Sequence, residues 1–189
     1  MAYAQFGGRL DILVNNAGMN IRKATIEYTL GDFFNVMDTN FTSSFMLTQL
    51  AHPLLKAAAA AKGAKENGGA SVVNISSVGG LTAIKSGSPY AASKSAMNQL
   101  TKNLGCEWAP DGIRVNAVAP WYTKTPLAEP VLANPAKVAE INQRTPMGRW
   151  AEPEEVSALV AFLCMRGAGY ITSQVIAVDG GFMANGWMT

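Results

Sequence analysis

Three side chains of this 189-residue chain could share one reaction: Ser77, Tyr90 and Lys94. Tyr90 and Lys94 fall in a run of helical periodicity through Ala91, Met97, Leu100 and Leu104. Their spacing stands one above the other on a single helix face. Ser77 follows a buried-strand pattern (Val72, Val73, Ile75) that breaks at Ser76-Ser77, the carboxyl end at which open α/β sheets hold ligands. An unperturbed tyrosine titrates near ~10, too high for easy proton exchange at neutral pH. An ammonium close by favours the phenolate and lowers that pKa by roughly 1–3 units. A serine hydroxyl can donate to a carbonyl oxygen and hold it against the phenol. The trio would protonate a carbonyl under reduction or take a proton from an alcohol under oxidation. None of the three can carry hydride, so such a site needs a cofactor. Alone, a Tyr-x-x-x-Lys pair is a weak signal that chance supplies in roughly a quarter of chains of this composition. An exposed helix with a solvated lysine would look the same.

The elements that must position the trio are legible around it. Leu10 to Val14 is an apolar strand ending in Asn15-Asn16-Ala17-Gly18, residues that also suit an ordinary turn. From about Gly31 to Ala61 the pattern is helical, through Phe33, Phe34, Met37, Phe41, Phe45, Leu47, Leu50 and Leu54. Asn40 is its polar exception and on pattern alone reads as a helix-surface residue. His52, the only histidine, reads as a helix residue beside Pro53, which is expected to kink the helix. One histidine makes no metal cluster, and no metal site is expected. Met1 to Arg9 reads as the tail of a helix stopped at Gly7-Gly8. Lys56 to Ala70 is a low-complexity stretch that extends the helix and ends it in a mobile loop without chemistry. Ile113 to Pro120 is a further strand, Glu152 to Met165 the last amphipathic helix, and Ile171 to Val178 the final strand. Between them, residues 125–150 read as a substrate-binding loop or lid. Trp121, Tyr122, Leu127, Val131 and Met147 are candidate pocket walls or, with equal weight, residues that pack this loop down.

In order and spacing, these motifs resemble the short-chain dehydrogenase/reductase family. The resemblance rests on Leu10–Gly18, Ser77 thirteen residues before Tyr90, Ile113–Pro120 and Val175–Gly181. Within the family, Ala51-His52-Pro53-Leu54-Leu55, Cys106-Glu107-Trp108-Ala109 and the run from Gly148 to Val156 are similar to tropinone-reductase-like members. The resemblance implies an α/β, Rossmann-like doubly wound parallel sheet with helices on both faces, forming one domain over 1–189. It implies an NAD(P)-dependent oxidoreductase interconverting a ketone and a secondary alcohol, with NADP as cofactor and NAD the alternative. Asn40 becomes a fourth catalytic member beside Ser77, Tyr90 and Lys94, bending its helix and holding a water linked to Lys94. Cofactor contacts would come from Asn16, Ala17, Gly18, Tyr90, Lys94 and Pro120. Thr123 would hold the nicotinamide carboxamide through its backbone, and Thr125 would contact the phosphates. The family usually has Gly after this Pro; Trp121 stands there instead and alters the loop's approach to the nicotinamide. A homodimer or homotetramer is implied.

The family's opening strand, Gly-rich turn and helix, which cradle the pyrophosphate, have no counterpart before Asn15. The chain is therefore expected to be N-terminally truncated, leaving the Ile12–Val14 strand as an apolar sheet edge prone to association. This keeps a second expectation alive, a catalytically inactive fragment serving as an oligomerising or interaction module. Composition narrows the remaining classes. With 49% hydrophobic and 15% charged residues the chain can bury a core, and a net charge of +2 shows no nucleic-acid-binding excess. No apolar run is long enough to span a membrane, and MAYAQFGG lacks a signal peptide's pattern. Cys106 and Cys164, both in helical contexts, are expected to be buried free thiols. The expected compartment is the reducing cytoplasm.

Overall fold

The computed structural model describes residues 7–62 and 68–186. Four strands, β1 (Ile12–Asn15), β2 (Ala70–Ile75), β3 (Ile113–Pro120) and β4 (Val175–Val178), form one sheet in the order β1-β2-β3-β4. Every neighbouring pair is parallel, with Leu13 opposite Val72, Val72 opposite Val115 and Val118 opposite Ile176. Parallel neighbours need crossover connections, and helices supply them. They are α1 (Leu30–Met37), α2 (Ser43–Lys62), α3 (Ser88–Glu107), α4 (Glu129–Leu132), α5 (Pro135–Arg144) and α6 (Pro153–Cys164).

Because successive side chains of a strand point to opposite faces, each central strand feeds two cores. On one face Val72 and Val115 pack with Ala51, Leu55 and Ala59 of α2 and with Leu104 and Trp108 at the end of α3. On the other, Val73 and Val118 pack with Leu163 of α6, flanked by Val156, Leu159 and Val160. The result is the expected α/β class, a parallel sheet with helices on both faces. β1 pairs with β2 alone among the described residues and leaves Ile12 and Val14 exposed.

Several boundaries differ from the sequence reading. The helical run from Gly31 to Ala61 is two helices joined by a π-helical turn, Asp38–Thr42, in which the Ser43 N–H reaches back to the Asp38 carbonyl. Pro53 lies inside α2, which continues as one helix to Lys62; the missing N–H is absorbed without ending it. Residues 125–150 are not a bare loop but carry α4 and α5, the latter capped by Asn134, whose side chain accepts from the Ala136 and Lys137 N–H groups. The final strand is shorter than Ile171–Val178, since residues 171–174 turn across β3 and bond its edge through Thr172, Ser173 and Gln174. Cys106 is exposed, not buried, and Cys164 is half-buried; both are free. The helix tail expected over Met1–Arg9 falls largely on residues outside those described, as does the loop expected around Gly63.

Candidate active site

Beneath the site lies a buried polar floor. Asn15, at the end of β1, donates to Thr48 Oγ1 of α2 at 2.8 Å and to Asn74 Oδ1 of β2 at 2.7 Å. Asn74 in turn donates to Thr101 Oγ1 of α3 at 2.9 Å. All four residues are buried. The network ties two strands and two helices together at the sheet's carboxyl end, and only Asn15 Oδ1 among its amide groups is buried without a partner.

Asn40 is fully buried, contrary to the surface position its pattern suggested. The π-helical turn rotates it inward, off the face its helical spacing would give it. Its Oδ1 accepts from the Met19 N–H at 2.8 Å, and its Nδ2 donates to the Met19 carbonyl at 2.9 Å and to Ser93 Oγ at 3.0 Å. The side chain thus ties the turn after β1 to α3. Ser93 stands three residues beyond Tyr90 and accepts this bond while donating to the Tyr90 carbonyl at 2.7 Å.

Lys94 is buried, and its Nζ donates to the Ile75 carbonyl, the last of β2, at 2.7 Å. Burial pushes its pKa down to about 8. The ammonium lies 5.8 Å from the centroid of the Tyr90 ring. Burial holds the Tyr90 phenol above the ordinary tyrosine range; hydrogen bonding with Ser77 and the charge of Arg22 pull it down, and Tyr122 pushes it up. The expectation that Lys94 would lower the phenol therefore needs correcting. Its ammonium is directed at a strand-end carbonyl, and desolvation dominates both groups. Ser77 caps a short 3-10 turn, its Oγ accepting from the Gly79 N–H at 3.0 Å. The turn is held on α3 because Ser95 and Asn98 both donate to the Gly80 carbonyl at 3.0 Å. A Cβ on Gly80 would come within 2.7 Å of the Lys94 backbone, so only glycine permits this approach.

The residues present fit the nicotinamide half of a dinucleotide. Gly18 borders a small cradle: a Cβ there would sit 3.4 Å from Lys94 Nζ and 3.6 Å from Asn40 Oδ1. Asn16, Ala17 and Gly18 are all exposed at the strand end. Across the site, Lys124 N–H bonds the Ala151 carbonyl and Ala151 N–H bonds the Tyr122 carbonyl. Those bonds clamp both neighbours of Thr123 and leave its own N–H without a partner among the described residues. The Thr123 and Thr125 hydroxyls turn back onto the carbonyls of Trp121 and Thr123.

Trp121 stacks on Phe182, with ring centroids 3.8 Å apart and planes at 13°, and donates from Nε1 to Thr145 Oγ1. It meets Tyr122 edge-on at 4.7 Å. Trp121, Tyr122 and Met147 together line a cavity of about 70 Å³. Leu127 is outside it, partly exposed, and presents its carbonyl to Arg22. A larger cavity of about 370 Å³ lies beyond the Trp121–Phe182 stack, against Phe182, Arg144 and Thr82.

Sequence reasoning missed Arg22, Ser93 and the Ile75 carbonyl. Ser93 had a signal, its position on the Tyr90 face of a helix; Arg22 had none beyond following Gly18 in a loop. Among the described residues no helix is long and apolar enough to cross a membrane, and no cluster of His, Cys, Asp or Glu could hold a metal.

A parallel sheet carrying buried Lys94 and Asn40, with Ser77 and Tyr90 beside them, at its carboxyl end defines a class, and the comparisons agree on which. A family model described as enoyl-(acyl carrier protein) reductase matches residues 2–183, and the chain belongs to the short-chain dehydrogenase/reductase family, whose fold is Rossmann-like. Within it the similarity is to tropinone-reductase-like members. The chain is 54% identical over 186 residues to a tropinone reductase homolog of Arabidopsis thaliana, covering 98% of this chain and 67% of that protein. A tropinone reductase homolog of Datura stramonium is 49% identical over 188 residues, again with 98% and 67% covered. The crystal structure of a gluconate 5-dehydrogenase from Burkholderia cenocepacia, in complex with NADP and tartrate, superposes with a TM-score of 0.85 at 31% identity. That match covers 97% of this chain and 68% of the other. The chain thus spans about two thirds of the length of these relatives.

Proposed function

We propose that the protein is an oxidoreductase interconverting a ketone and a secondary alcohol with NADP(H), NAD(H) being the alternative. One observation carries the reading: Ser77, Tyr90 and Lys94 converge at the carboxyl end of β2, with Lys94 and Asn40 closing a cradle under Gly18. Ser77 would donate to the substrate carbonyl oxygen and orient it. Tyr90 Oη would transfer its proton to that oxygen, or accept one from an alcohol. The raised phenol pKa keeps this proton in place at neutral pH, which suits reduction. Lys94 and Gly18 would hold the nicotinamide ribose, and the Thr123 N–H its carboxamide. Asn40 would fix the position of Gly18 through Met19 and that of α3 through Ser93. The nicotinamide, when bound, supplies or accepts the hydride.

The names of the relatives support a small ketone or alcohol as substrate, and the neighbour's complex with NADP supports the cofactor. We place residues 125–150 as the cover of the substrate. The exposed Ile12 and Val14 of β1, with Phe34, Met46, Leu47 and Leu50 on α1 and α2, supply apolar surface for a homodimer or homotetramer. Two unpaired thiols suit a reducing compartment such as the cytoplasm. The test is Tyr90→Phe assayed by ketone-dependent NADPH oxidation. Turnover should fall by about a hundredfold or more, the scale of general acid catalysis, with cofactor binding and folding retained. Unchanged turnover overturns the mechanism.

A further inference from the structure

Arg22 lies on the strap between β1 and α1, and that strap is held at many points. Asn40 grips Met19 through both backbone groups. The Gly87 N–H, at the start of α3, bonds the Lys23 carbonyl at 3.4 Å, and Thr25 Oγ1 meets Ser88 Oγ at 3.0 Å. Tyr28 closes the strap by donating its hydroxyl to the Ile21 carbonyl. The segment bearing Arg22 is therefore fixed to the turn that leads directly into Tyr90. On its other side, Arg22 Nη2 donates to the Leu127 carbonyl at 3.3 Å, at the beginning of the 125–150 segment. The guanidinium thus links the strap before α1 to the start of the 125–150 segment.

Arg9, Lys23, Lys56, Lys137 and Arg149 each hold an aspartate or glutamate. Asp32 is taken by Lys23 at 2.7 Å, and Glu27 folds back onto the Ala24 N–H at 3.0 Å. Arg22 has no carboxylate within ion-pair distance among the described residues. It uses one donor on Leu127 and keeps the others of its planar fork. That fork matches a carboxylate in two parallel bonds. Its positive charge favours the Tyr90 phenolate, and among the described residues no carboxylate is a main influence on that phenol.

We propose that Arg22 is a specificity-determining residue that binds a carboxylate on the substrate, so that the site takes an acidic ketone, an oxo acid, and its hydroxy-acid partner. The inference rests on the ketone–alcohol reading above and deepens it. A ketone bearing an ammonium meets the same guanidinium as repulsion and is a poor substrate.

The test uses three ketones on one ring: cyclohexanone, 4-oxocyclohexane-1-carboxylate and 4-aminocyclohexanone. They are assayed by NADPH oxidation with the full chain, as wild type, Arg22→Gln and Arg22→Lys. The acid should exceed the neutral ketone in kcat/KM by about 10- to 100-fold, as expected for a charge-assisted bidentate contact, and the amine should fall below both. Arg22→Gln should collapse the acid-to-neutral ratio, mainly through KM, and Arg22→Lys should restore part of it. Added salt should shrink the preference. Calorimetric titration of 4-oxocyclohexane-1-carboxylate reads binding apart from turnover, and Arg22→Gln should weaken it by the same factor. Turnover of the neutral ketone with no preference for the acid overturns this inference alone, as does a loss in Arg22→Gln shared equally by all three. Arg22-dependent binding of the acid without turnover of any ketone keeps carboxylate recognition and overturns the reductase reading. Absence of both sinks the two together.

Discussion

The floor of the site and its roof are built on opposite principles. In the floor, Asn15, Asn40, Asn74, Ser93, Lys94 and Thr101 are all buried and are tied to one another or to backbone. In the roof, residues 121–150 meet the rest of the molecule through backbone bonds at Trp121–Val178, Thr123–Ala151 and Met147–Gly180, the Trp121–Phe182 stack and a few side-chain bonds. Leu127 and Met147 stay exposed there. A buried polar network has one arrangement that satisfies it and penalises every other. A surface cover has many near-equal arrangements, which suits a part whose role is to fit different substrates. On this account the floor sets the reaction and the roof sets the substrate.

Substitutions in the two regions should therefore differ in kind, beginning with the floor. Lys94→Met should reduce turnover by about a hundredfold or more, comparable with loss of an acid–base group. It should also remove a pH dependence of stability. With its folded pKa near 8 and its unfolded value near 10.5, the wild type carries the full cost of burying the ammonium below about pH 8. It regains stability as pH rises above 8, by up to about 3 kcal/mol at the upper end. Urea unfolding at pH 7 and pH 9.5 should show this rise in the wild type and not in the variant. Asn40→Ala strips both partners from the Met19 backbone and one from Ser93. The predicted loss is about 2–4 kcal/mol from the unpaired groups, read as a lower urea midpoint. Gly18→Ala places a methyl 3.4 Å from Lys94 Nζ, an ordinary contact. Folding should be unchanged, while NADPH binding weakens by about tenfold, a loss on the order of 1.4 kcal/mol. In the roof, Leu127→Ala should cost less than about 1 kcal/mol of stability, as its side chain is partly exposed. Its effect should appear in KM values that differ between ketones. A large stability loss at Leu127, or none at Asn40, would erase the distinction.

The same contrast marks what the sequence made legible. Strand patterns at Val72, Val73 and Ile75 and at Ile113 to Pro120 were readable because both faces are buried, which forces continuous apolar runs. The Tyr90–Lys94 face followed from helical spacing, and the family resemblance assigned Asn40 its place. Pattern alone misplaced Asn40, because a π-helical turn breaks the 3.6-residue period that places a side chain inside or outside. It also misjudged the influences on Tyr90, since the direction of the Lys94 ammonium depends on the Ile75 carbonyl and on burial, neither of which spacing encodes. Arg22 was invisible for a related reason. It is far from Leu127 in sequence and meets it only because the strap after β1 is pinned to the start of α3.

Whether the floor forms a working nicotinamide site is read by fluorescence titration of NADPH, then NADH, into the folded 189-residue protein. The expected result is saturable NADPH binding that weakens in Gly18→Ala and persists in Tyr90→Phe. A cooperatively folded chain that binds neither nucleotide would contradict it, and would favour an inactive module that associates through its exposed apolar faces.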